Sequence, residues 1–138
     1  MTQSASSEVG LVRMYLKDLS FESPSAPGVF RKNIQPDVKM RVAVKPTRIE
    51  ENLFEVNLEL GIDGRVGEEA VFIIEVEYAG LFEVKGTPES QLESVLTVFC
   101  PNILFPYVRP IVDQAMIQGG FPPLTLAPVN FEQLRRGH

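Results

Sequence analysis

Two stretches of strict alternation do most to restrict the fold. Val38, Met40, Val42 and Val44 alternate with Lys39, Arg41, Ala43 and Lys45. Phe54, Val56, Leu58 and Leu60 alternate with Glu55, Asn57 and Glu59. A period of two, apolar on one side and charged on the other, describes a strand covered on one face and wet on the other, as in antiparallel sheets. A third run sets Ala70, Phe72, Ile74, Val76 and Tyr78 against Val71, Ile73, Glu75 and Glu77. An earlier run is mixed on both sides. Strict alternation there puts Val12, Met14, Leu16, Asp18, Ser20 and Glu22 on one face, and Arg13, Tyr15, Lys17, Leu19 and Phe21 on the other. Asp63-Gly64 is the expected turn between the third and fourth strands.

After Ala79-Gly80 the spacing is expected to become helical, with Leu92, Val95, Leu96 and Phe99 at i, i+3, i+4 and i+7. A long helical region is predicted over 89–118, punctuated by Pro101 and ending at Gly119-Gly120. Pro106 and Pro110 each remove a backbone donor, which predicts a kink or a break. Asn130 is placed to cap a short helix over 130–135. Four strands followed by helices give an α+β chain: one four-stranded antiparallel sheet with C-terminal helices packed on one face.

The 138 residues are read as a single domain spanning 1–138. Residues 1–10 are expected to fray. Pro24, Pro27 and Gly28 mark a loop over 23–36. Net charge is −5, which argues against nucleic-acid binding, since that needs clustered cations to replace phosphate counterions. Charge is nevertheless in blocks. Lys39, Arg41 and Lys45 lie on one strand and Glu55 and Glu59 on the next, so the two strands are expected to be neighbours. Cys100 is the single cysteine, so no intrachain disulfide can form. The first residues carry no basic flank or apolar run, and no stretch has about 18 consecutive apolar residues. A cytoplasmic protein without direct membrane insertion is expected.

Little in the chain resembles catalytic machinery. The single histidine, His138, is the last residue. Cys100 has no histidine near it in sequence, and a buried thiol is its ordinary reading. Zinc needs several Cys or His ligands, and no phosphate-binding glycine loop occurs. Glu75 and Glu77 share a strand face, but perturbed carboxylates need burial. The chain is therefore read as neither an enzyme nor a metalloprotein. Val29, Phe30 and Ile34, together with Phe121, Leu124, Leu126, Val129, Phe131 and Leu134, are apolar groups in proline-rich segments. They either anchor loops to the core or line a groove for extended peptide segments.

Tyr15-x-Lys17-Asp18-x-Ser20-Phe21-Glu22-x-Pro24 resembles the first strand of the SecB family of export chaperones. Gly67-Glu68-Glu69, Phe72-Ile73-Ile74-Glu75-Val76 and Gly80-Leu81-Phe82 follow in order. The most specific pieces are Cys100-Pro101-Asn102-Ile103-Leu104-Phe105-Pro106-Tyr107 and Leu126-Ala127-Pro128-Val129-Asn130-Phe131. The resemblance implies a homotetramer, a dimer of dimers. It implies no catalysis and no cofactor. Its members hold preproteins unfolded in the cytoplasm and deliver them to SecA, the export motor.

Carried over by position, the resemblance implies a SecA-binding acidic face at Asp18, Glu22, Ile73 and Glu75. It implies subunit contacts at Ile74, Val76 and Tyr78. It implies a client groove lined by Phe30, Ile34, Val38, Met40, Leu124, Leu126, Phe131 and Leu134, with 23–36 as a crossover loop. Ile34 stands where members often carry tryptophan, and the chain stops at His138 where members usually continue, so a shallower groove and a missing second SecA contact are expected. Two other readings stay open. One is a SecB-like chaperone dedicated to a single client such as an antitoxin. The other is a small-molecule module using the same groove.

Overall fold

A computed structural model describes residues 8–137. Its elements run β1 (Glu8–Glu22), β2 (Asp37–Glu50), β3 (Leu53–Val66), β4 (Glu69–Lys85), α1 (Glu89–Ser94), a π-helical segment (Val95–Phe99), α2 (Cys100–Gln118) and α3 (Phe131–Arg136). The strands form one antiparallel sheet in the order β1-β4-β3-β2. β1 and β2 are therefore opposite edges. The 23–36 segment must carry the chain across three strand spacings, roughly 14 Å. It does so with a short 3-10 turn at Gly28–Arg31 and is tied to β4 by Ser23 Oγ and Ser25 Oγ, which donate to the carbonyls of Val71 and Ala70.

The inner face of the sheet carries Phe54, Val56, Leu58, Leu60, Ile62, Phe72, Ile74, Val76 and Phe82, all buried. Against it lies a row from the helix at i, i+4 spacing: Leu96, Cys100, Leu104, Val108, Val112 and Met116. The helix spanning Glu89–Gln118 is 30 residues long, and its most apolar stretch has a mean hydropathy of 1.5, enough by length and composition to cross a membrane. Here the buried row of that helix faces the sheet.

Several expectations are corrected. β1 carries bulges between Leu11 and Arg13 and between Leu16 and Asp18. Each bulge inserts a residue and reverses the alternation beyond it. Leu16, Leu19 and Phe21 therefore share the inner face, while Tyr15, Asp18, Ser20 and Glu22 share the outer one. Of the ten N-terminal residues expected to fray, Glu8–Gly10 pair with β4; the rest lie outside the described residues, as does His138.

The β3–β4 turn is at Gly67-Glu68, not Asp63-Gly64. Gly67 takes the positive φ of 61° that favours glycine. Gly64 instead leaves room for the Phe72 ring across the ladder. β4 also continues past Ala79-Gly80 to Lys85, because Gly80 makes room for Leu104 and Phe82 rather than ending the strand.

The prolines do not break the helix. Pro101 lies two residues after the last residue of the π-helical segment and one beyond its C-cap, Cys100, whose N–H donates to the carbonyl of Val95. The wider turn accommodates a ring that clashes with a regular α turn. It also rotates Phe99 outward and gives the buried position to Cys100. Pro106 and Pro110, four apart, both lie on the exposed side, where the carbonyls they leave unbonded meet water. The helix ends as expected: Gly120 has φ 89°, and the amides of Gly120 and Phe121 donate back to Ile117 and Met116, the Schellman pattern. Asn130 caps α3 by accepting from Gln133 N–H at 3.0 Å, with the helix at 131–136 rather than 130–135.

Candidate functional site

The Schellman turn aims Phe121 back at the sheet. Its ring lies 5.2 Å from Phe30, 5.5 Å from Phe72 and 6.3 Å from Phe21, centroid to centroid. Around this cluster the loop, β2 and the segment after α2 enclose a cavity of about 390 Å³. Phe30, Ile34, Val38 and Leu124 line it, with Phe121 and Met116. Further along β2, Met40 and Val42 face Val129 and Leu134 across a second depression of about 490 Å³. A third, of about 230 Å³, lies between Val44, Thr97 and Leu134. A channel of three depressions thus follows the inner side of the β2 edge, mainly apolar in the first two and edged by Lys45, Glu93 and Arg135 in the third, with α3 bordering the second and third.

Six of the eight expected groove residues line this channel. Leu126 packs, half-buried, against the core. Phe131 is 1% exposed and meets Phe105 edge-on at 6.1 Å, so it is a core anchor for α3 and presents no surface to a bound chain. Phe121 was visible in sequence as an apolar loop residue, but nothing there marked it as the floor of the groove. Only the helix-ending glycines hinted that the chain turns back at that point.

The outer face of the sheet is a charged layer. Asp18, Glu22, Ile73 and Glu75 all lie on it, with Glu22 opposite Ile73 and Ser20 opposite Glu75. Glu75 receives Arg41 Nη2 at 3.2 Å, and Arg41 Nη1 reaches Asp63 at 2.8 Å. Arg65 and Arg41 together hold the Asp63 carboxyl below the usual carboxylate range. β2 and β3 are neighbours, as the charge blocks predicted, with Lys45 also pairing with Glu59 at 3.4 Å. Across β4, Tyr15 donates to Glu55 at 2.7 Å and Lys17 joins at 3.2 Å. Burial, then the Glu55 carboxylate, pushes the Tyr15 phenol up to about 12. The Tyr15 hydrogen bond lowers Glu55 in turn, with help from Lys17.

Ile74 and Val76 are not placed for direct subunit contact. They face inward and are buried under the protomer's own helix, 0% and 2% exposed; Tyr78 is half-buried on the same side. Among the described residues, no group of three or more His, Cys, Asp or Glu is arranged to hold a metal ion. Cys100 is buried, and burial pushes its thiol up to about 12. A thiolate is the reactive form, so iodoacetamide at pH 8 should leave native Cys100 unlabelled and modify it only after denaturation. Rapid labelling of the native chain would overturn that burial.

Three comparisons bear on what this arrangement is. The family described as "Preprotein translocase subunit SecB" matches residues 2–138. A protein-export protein SecB of Azoarcus sp. is 40% identical over 135 residues, covering 97% of this chain and 89% of that protein. One from Hahella chejuensis is 44% identical over 124 residues, covering 90% and 78%. The fold is similar to that of a SecB-like chaperone of Mycobacterium tuberculosis, solved in complex with a peptide from an antitoxin. The TM-score is 0.68 at 20% identity, covering 88% of this chain and 90% of that one.

Proposed function

The chain belongs to the SecB family, and from that premise we propose that it is a cytoplasmic export chaperone that holds preproteins unfolded and hands them to SecA. The observation that carries the holding step is the channel along β2. Phe30 is half exposed at its rim and meets the Phe121 ring at a tilt, an apolar platform left partly in water. An extended client segment laid there removes apolar area from water, worth roughly 25 cal/mol per Å² before ordering costs. Binding and release need no bond chemistry, which is why the chain is read as a chaperone and not an enzyme.

A homotetramer suits the surfaces left over. β1 is a sheet edge whose Leu11, Val12, Leu16 and Leu19 are exposed, and the helix exposes Phe99, Tyr107 and Ile117. Unpaired strand edges and apolar patches of this kind call for a cover. Four copies would also present several grooves to one client, and linked weak sites bind far more tightly than single ones.

Phe30→Asp is expected to weaken binding of an unfolded preprotein about tenfold, or roughly 1.4 kcal/mol, while light scattering shows an unchanged oligomer. Equal affinity for wild type and variant in a fluorescence titration would remove the groove from the reading. Capture of clients from cells separates general export, a broad set of preproteins, from service to one dedicated client.

A further inference from the structure

We propose that Arg41 competes with the basic side chains of a partner for Glu75, and so sets how tightly the acidic outer face binds. The inference rests on the reading of that face as the SecA site. In the sheet, Arg41 pairs with Gly61 and Gly61 with Glu75, so the three stand in line across β2, β3 and β4. Gly61 makes the crossing possible. A Cβ there would collide with the Arg41 guanidinium, which passes close over the glycine.

The two ends of the clamp are unequal. Asp63 is buried and is held independently by Arg65 Nε at 2.9 Å. The Glu75 side chain is 54% exposed, and its contact with Arg41 is the longer one, 3.2 Å against 2.8 Å. An incoming ammonium or guanidinium can therefore take Glu75 while Arg41 keeps Asp63. Asp18 and Glu22, on the same face, have no ion pair among the described residues, so they are open to a partner from the start. The clamp taxes one carboxylate of the set. Exposed ion pairs of this kind correspond to roughly 1.4- to 5-fold in an equilibrium constant.

The test is calorimetric titration of SecA into wild type, Arg41→Gln, Lys39→Gln, Glu75→Gln and the Arg41→Gln/Glu75→Gln double variant. Lys39 lies on the same strand face and has no ion pair among the described residues, so its removal makes the same change in charge without opening the clamp. Arg41→Gln is expected to tighten binding about two- to fivefold at low salt. Lys39→Gln is expected to do less, and the gain is expected to vanish in the Glu75→Gln background. No gain from Arg41→Gln, an equal gain from Lys39→Gln, or a gain that survives without Glu75 would each overturn the competition. Failure of both wild type and Arg41→Gln to bind SecA would instead remove the delivery reading on which it stands.

Discussion

Replacing Leu104 with alanine should lower the free energy of unfolding by about 2–5 kcal/mol, the range for deleting a buried leucine side chain where the surroundings cannot collapse. Leu104 is 0% exposed and central in the helical row that covers the sheet. Its Cδ2 atom fills the space left by Gly80, with the Phe82 ring beside it. β4 is an interior strand, so its backbone cannot move in to close the gap. Cys100 and Val108, one turn away on either side, are also fully buried and have no slack to offer. Thermal unfolding should show the midpoint falling by on the order of 10 °C. Gln91→Ala, an exposed polar position on the same helical run, should change it little. A loss below about 1 kcal/mol for Leu104→Ala, under the cited range, would mean that the helix does not seat on Gly80 as described.

Legibility in the sequence followed the scale of the signal. Alternation over β2, β3 and the first part of β4 identified both the strands and their wet side. The charge blocks identified β2 and β3 as neighbours, because opposite charges on facing strands are a pairwise preference written directly in residue types. β1 was ambiguous for a physical reason: two bulges each move the apolar set to the other side, so no single period describes it. Glycine misled in both directions. Gly64 and Gly80 are there because a neighbouring side chain needs the space, whereas Gly67 is there for a turn. In sequence these uses are identical. Phe131 failed similarly. An aromatic residue beginning a short helix can face a groove or the core, and only the position of Phe105 decides between them. The acidic face depended on resemblance for its partner and for its residues alike, each carried over by position. That explains why the clamp from Arg41 was not foreseen: it needs the register of three strands, and the residue that permits it is the featureless Gly61.

Converting Asp18, Glu22 and Glu75 together to lysine should weaken SecA binding by about 100-fold at low salt. An exposed pair contributes roughly 0.5 kcal/mol, and reversal both removes that attraction and adds a repulsion of similar size. Three positions then amount to about 3 kcal/mol, or two orders of magnitude. All three point from the same side of β1 and β4, and none supports the core, so the variant should keep its thermal midpoint. The single changes should not be equal. Asp18 and Glu22 carry no internal ion pair among the described residues, whereas Glu75 is already partly neutralised by Arg41. Asp18→Lys and Glu22→Lys should therefore each cost more than Glu75→Lys. Screening shortens the reach of exposed charges to about 3 Å at 1 M salt, so the gap between wild type and the triple variant should close as salt rises. The apolar groove should keep its affinity for unfolded clients under the same conditions, since burial of apolar area is not weakened by added salt. SecA binding that weakens with salt while client binding holds would separate the two faces of the sheet as two sites. A parallel response would mean that one surface serves both and that the acidic face is not a docking site of its own.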